Sequence, residues 1–210
     1  MGKRRNEKRK CAGICILLAA LILSGCGMNE EDAAAYVEAT LDANYKGEFG
    51  DYVEITDSTV KEAKKLYENN MQVIEKSVGI EDMPKELAGN YEKLFQDILA
   101  KTSYEVKEGK KSDDGFEVTV ETKELQLFGG LEDELIEKTK QDLSEEKDVP
   151  DEEEIDNIAM ENLYELLSDR LEGAEYGEAK KITVHVVKDE EGVFMIPEKD
   201  LLAVDEALFL

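Results

Sequence analysis

Between positions 30 and 100 apolar residues recur every third or fourth place, whereas from 103 to 128 they recur every second. The first period belongs to helices with one buried stripe, the second to strands with one buried face. A first helix is predicted over about 30–45, with Ala33, Tyr36, Val37, Thr40, Leu41 and Asn44 on one side and acidic residues in its first turn. Gly47 ends it, and GEFGDYVEIT follows as a short irregular or helical turn bearing Phe49, Tyr52 and Ile55. A second helix is expected over about 58–77, capped by Ser58, with Ala63, Leu66, Tyr67, Asn70 and Ile74 inward and Gly79 as its stop. A third opens at Pro84, a residue suited to a first turn, and carries the stripe Leu87, Tyr91, Leu94, Ile98 and Leu99.

The period then changes. Tyr104 and Val106, then Phe116, Val118 and Val120, alternate with charged residues around a turn at 110–115, which predicts an antiparallel hairpin. After Gly129 and Gly130 two helices are expected, over about 131–146 and 151–172. The second would turn Ile155, Ile158, Ala159, Leu163, Leu166 and Leu167 inward. A second hairpin follows, with Ile182, Val184 and Val186 on one face, Thr183, His185 and Val187 on the other, and a turn at 189–192. Pro197 opens a last helix with Leu201, Val204 and Leu208 inward. Helices grouped on a roughly four-stranded antiparallel sheet make an α+β fold.

The N-terminus follows a different logic. Positions 1–10 hold six Lys/Arg and one Glu, and positions 11–23 hold no charge. A basic segment before a short apolar run has the form of a signal peptide; a permanent span needs ~20 apolar residues. Leu23-Ser24-Gly25-Cys26 resembles the lipobox of bacterial lipoproteins. That resemblance implies cleavage between Gly25 and Cys26 and a lipid on Cys26, with two acyl chains holding where one is marginal. It divides the chain into a removed signal peptide (1–25), a lipidated tether (26–29) and one acidic α+β domain (30–210). Cys11 and Cys15 leave with the signal, so neither a disulfide nor a thiolate metal site is expected afterwards.

Charge narrows the partners. The whole chain has a formal net charge of −25; without residues 1–25 it holds 20 basic and 50 acidic residues, a net −30. Such a surface repels nucleic acid and anionic headgroups, and opposes self-association, so a monomer is expected. A basic peptide or the basic face of a membrane or wall-associated protein remains compatible.

Candidate chemistry is sparse. No nucleophile elbow, phosphate loop or dinucleotide glycine pattern occurs, and the acidic turns lack the calcium-loop spacing. One histidine, His185, sits mid-strand on the polar side, with no orienting partner visible in the sequence. A single His without a free thiol makes zinc unexpected. The eight tyrosines fall mainly on helix stripes, where core packing with the hydroxyl at the edge is expected. No catalytic residue, cofactor or metal site is predicted, and no ligand-binding residue stands out.

The opening AYVEATLDANYKGEFGDYVEIT and the late ITVHVVKDEEGVFMI are similar to the first helix and final strands of cystatin-like, NTF2-like domains, with a helix pair inserted into the sheet. The whole chain resembles Gram-positive bacterial lipoproteins that carry an uncharacterised domain of this shape. The resemblance implies a protein held by its lipid on the outer side of the cell membrane, acting as a binding or interaction module. The alternatives are an enzyme of the ketosteroid-isomerase-like class and a small capture protein for a transporter. A polar-lined chamber between helices and sheet would favour the enzyme; a filled interface would favour the interaction module.

Overall fold

The computed structural model describes residues 27–80, 83–145, 150–190 and 192–210. Helix α1 (Glu30–Leu41) continues into a π-helical turn (Asp42–Lys46), followed by α2 (Gly50–Thr56), α3 (Val60–Val78) and α4 (Lys85–Ala100). Strands β1 (Ser103–Ser112) and β2 (Gly115–Leu125) lead to α5 (Leu131–Glu145) and α6 (Glu152–Glu172). Strands β3 (Tyr176–Lys188) and β4 (Phe194–Met195) and helix α7 (Glu198–Phe209) complete the chain. The fold is α+β, and its four-stranded sheet runs β1-β2-β3-β4 with every neighbouring pair antiparallel.

Local chemistry sets the helix starts. The Asn29 side chain accepts from the main-chain N–H of Glu31 at 2.8 Å and of Asp32 at 3.0 Å, and the Asp32 carboxylate accepts from Asn29 N at 2.9 Å. The same reciprocal box joins Thr59 to Glu62 and Asp151 to Glu154. Each such cap contributes about 1 kcal/mol. Thr59 therefore takes the capping role expected of Ser58, whose hydroxyl instead pairs with Thr56 Oγ1 at 2.8 Å. The stretch from Gly50 to Thr56 is helical, and the stripe of α4 is buried at Leu87, Tyr91, Leu94, Ile98 and Leu99 as its spacing predicts.

The sheet has one buried face. Register places Phe116 opposite Val186, Val118 opposite Val184 and Val120 opposite Ile182, and all but the half-buried Ile182 are buried. Helices α1 and α7 pack on this face, bringing Ala33, Val37 and Leu41 from one and Leu201, Val204 and Leu208 from the other. A fully buried aliphatic side chain of this kind stabilises by roughly 1.5–3 kcal/mol. The opposite face carries Glu117, Thr119, Glu121 and Lys123 of β2 and stays wet.

Helix α1 runs antiparallel to β1. Its first residue lies at Gly109, where an added Cβ would stand 2.5 Å from the Glu30 carbonyl oxygen, and its far end reaches Tyr104 through Asp42. Between Val106 and Gly109 the register slips, a bulge that bends the free edge of β1. Lys107, Lys110 and Lys111 on this strand protect the edge further against pairing with another chain.

The helical pair between β2 and β3 departs most from expectation. Periodicity predicts six inward apolar residues on α6, yet of these only Leu167 is buried; Asn162 and Leu171 are the other buried positions. Helix α5 buries none of its residues. The reason is topological: α5 packs on α6, while α6 meets the body along α4 and, at its C-terminal end, through Arg170, which donates to the carbonyls of Leu127 and Gly129. The pair is an arm: Leu167 and Leu171 of α6 join the core and Leu163 packs against it, while Ile155, Ile158 and Leu166 lie outside that set.

Candidate functional site

A group of linked polar side chains, with Tyr45 and Asp205 buried at its centre, lies where the π-turn, the start of β1 and α7 meet. The π-turn inserts one residue into the helical ladder, a local change often found where a side chain must be re-aimed. It brings Tyr45 against α7, where the Tyr45 hydroxyl donates to Asp205 Oδ1. Both residues are 3 % exposed, and Asp205 Oδ2 has no hydrogen-bond partner among the described residues. Burial pushes the Asp205 carboxyl up to about 7, partly opposed by the Tyr45 hydrogen bond.

The outer half of the group is charged. Asp42 Oδ1 accepts from the Tyr104 hydroxyl at 2.5 Å and pairs with Lys46 Nζ at 2.7 Å. Lys46 lies over the Tyr104 ring, 4.5 Å from its centroid. Burial, then the hydrogen bond and charge of Asp42, raise the Tyr104 phenol far above its ordinary value, so it remains a donor. The Tyr45 ring joins both halves, 5.8 Å from Tyr104 and 6.5 Å from Phe209 between ring centroids.

A tyrosine beside a carboxyl raised toward neutrality has the elements of a proton-transfer site. Here Tyr45 and Asp205 are buried, whereas Asp42 and Tyr104 are half-buried. One groove, of about 730 Å³, lies between α1 and β1 and is lined by Glu31, Ala35, Glu38, Val106 and Lys107 among others. Another, of about 540 Å³, lies between α4 and α6 and includes Lys93, Asp97, Tyr164 and Ser168. Neither is lined by Tyr45, Tyr104 or Asp205. The group acts as a lock between α1, β1 and α7, and the helix–sheet interface beside it is filled by Val118, Val120, Val184 and Val204, each 0 % exposed.

His185 lies on the wet side of β3, as alternation predicts, and is half-buried. The structure corrects one point: it has an orienting partner. Asp200, in the first turn of α7, accepts from His185 Nδ1 at 2.8 Å and from His185 main-chain N at 2.9 Å through the same oxygen. The Asp200 side chain is nearly buried, so the pair is a structural clasp at the sheet edge. No group of three or more His, Cys, Asp or Glu able to hold a metal ion occurs among the described residues.

Gly25 and Cys26 lie outside the described residues. The structure picks up immediately after them: Met28 packs against the core and Asn29 caps α1. No described helix is long and apolar enough to cross a membrane.

The chain matches no family model and no curated protein. It is similar in structure to YcdA, a candidate lipoprotein of Bacillus subtilis, with a TM-score of 0.62 and 17 % sequence identity. The match covers 85 % of this chain and 56 % of that one, so the chain spans little more than half that protein's length. At this identity the likeness shows a shared fold.

Proposed function

We propose that this chain is a lipid-anchored interaction module on the outer side of the cell membrane, held by Cys26 and working without catalysis. The observation that carries this reading is the filled helix–sheet interface: apolar side chains of α1, α7, β2 and β3 occupy the space where an enzyme of this architecture would keep a polar chamber. The anchor rests on the lipobox resemblance at 23–26, and the folded body begins at once after it. Two residues, Gly27 and Met28, separate Cys26 from Asn29, three chain steps that reach at most ~11 Å, so the start of α1 and the bulge at Gly109 face the bilayer. The cystatin-like resemblance belongs to this reading, with α1 and α7 as the layer on the sheet. The surface chemistry favours a protein or peptide partner of opposite charge and disfavours nucleic acid.

The test is native mass spectrometry of the full chain extracted from membranes, paired with protease treatment of intact cells. The reading expects the acidic body to be digested from outside and the extracted chain to carry no stoichiometric small molecule. A small organic ligand retained at one per chain and displaced by filling the helix–sheet interface would contradict it.

A further inference from the structure

The arm formed by α5 and α6 holds apolar residues that the fold leaves partly uncovered. Leu135, Ile136, Leu143, Ile155, Ile158 and Leu166 lie outside the set packed on the central core, and Ile136 and Ile155 remain 44 % and 37 % exposed. A helical pair that existed only to pack on the body would turn such residues toward it.

Charge says what kind of surface would cover them. The two helices hold fourteen acidic side chains against three basic ones, a steeper ratio than the 51 to 26 of the whole chain. Two of the three bases are already engaged within the arm: Lys138 pairs with Glu165 at 3.1 Å and Arg170 with Glu134 at 2.8 Å. A second copy of the arm would bring like charge against like, and an anionic bilayer would be repelled as well.

Position points the same way. The start of α1 lies at Gly109, toward the turn between β1 and β2, whereas the arm leaves the sheet after Leu125, at the other end of β2. Gly109 lies opposite Val118, and the seven steps from Val118 to Leu125 span ~23 Å. If Cys26 is anchored, the arm is rooted at the end of the sheet away from the membrane.

We infer that the α5–α6 arm is the docking surface of this module, and that it receives a basic amphipathic helix of a partner protein lying along the arm, its apolar side reaching from Ile136 near the base, level with the Lys138–Glu165 and Arg170–Glu134 pairs, to Ile155 ~18 Å away toward the far end, with its cations against the flanking carboxylates. Helix-in-groove recognition of this type draws its affinity from a few apolar anchors and its orientation from charge. The inference rests on the interaction-module reading and narrows it to one surface and one partner chemistry.

The experiment uses the full chain in neutral phosphatidylcholine nanodiscs, with empty discs as blank, and three labelled peptides of about 18 residues. One is a Leu/Lys sequence that is amphipathic when helical; one has the same composition scrambled to spread Leu around the helix; one replaces Lys by Glu. The amphipathic Leu/Lys peptide should bind at least ~10-fold more tightly than the scrambled one, and the Leu/Glu peptide should not bind. The double substitution Ile136→Gln with Ile155→Gln should weaken binding by ~10-fold or more. Should that variant lose helix content, Lys140→Glu supplies the second readout, with tighter binding expected. Equal binding of the scrambled peptide, no effect of either substitution, or dimerisation through the arm would overturn the inference. Lipid labelling of Cys26 in the same preparation separates the two readings: a labelled chain that ignores the peptide sinks the arm and leaves the anchor standing.

Discussion

Asp200 Oδ2 accepts two hydrogen bonds from one residue, the main-chain N–H of His185 at 2.9 Å and its imidazole Nδ1 at 2.8 Å. Strand β4 pairs with β3 only at Val187 and Lys188, so the edge of β3 is open just before them. Pro197 then turns the chain into α7, and the carboxylate of Asp200 takes over where a longer β4 would have supplied a carbonyl.

This predicts an order of effects. Asp200→Ala should cost ~1–3 kcal/mol, because it leaves the His185 N–H without its acceptor, whereas His185→Gln should cost about 1 kcal/mol or less. Urea denaturation of the two variants checks the order. A larger loss for His185→Gln would mean that the ring, and not the strand edge, is what Asp200 serves.

Asp205 gives a pH dependence with a definite sign. Its folded value is raised to about 7 from an ordinary 3.8, so between these values the folded state binds more protons than the unfolded one. Its contribution is fully present below about pH 4 and is lost as pH rises to about 7, with a ceiling of roughly 4 kcal/mol. Asp205→Asn removes this slope. The difference in unfolding free energy between wild type and variant should therefore shift against the wild type from pH 5 to pH 8. Parallel pH profiles would show that Asp205 does not titrate in this range.

Glycine positions test the seat of α1. An added Cβ at Gly109 meets the Glu30 carbonyl oxygen at 2.5 Å, while Gly89, exposed on α4, meets nothing within 4 Å. Gly109→Ala should destabilise by ~1–3 kcal/mol, and Gly89→Ala should stabilise by ~0.5–1 kcal/mol. Thermal melts of the two variants moving in the same direction would contradict this packing.

Much of this architecture was legible from period alone. The stripe of α4, the alternation of Phe116, Val118 and Val120 and the inward Leu201, Val204 and Leu208 describe real faces, because each element has one side on a common core. The stripe of α6 misled for the same reason: Ile155 and Ile158 keep helical spacing, but spacing does not say whether a helix meets the core or only another helix. The polar group around Tyr45 and Asp205 escaped notice because its members come from positions 42, 45, 104 and 205. One signal was available: Asp200 and Asp205 stand close to the apolar face of α7, where an acidic residue needs a partner.

Arg170 holds the base of the arm. Its guanidinium donates to the carbonyls of Leu127 and Gly129 and pairs with Glu134. Arg170→Lys keeps the charge but loses the planar fork, so it should loosen α5 without unfolding the sheet. Hydrogen exchange should quicken across α5 and stay unchanged in β2 and β3. Unchanged exchange in α5 would mean that α6 alone positions the arm.

The central claim is that the module is held to the membrane through Cys26, and metabolic labelling with a lipid precursor tests it most directly. The wild-type chain should take up the label, be shortened to begin at Cys26 and fractionate with membranes, while Cys26→Ala should take up no label and escape that cleavage. Label on the Cys26→Ala chain, or a wild-type chain left unlabelled, would contradict the account.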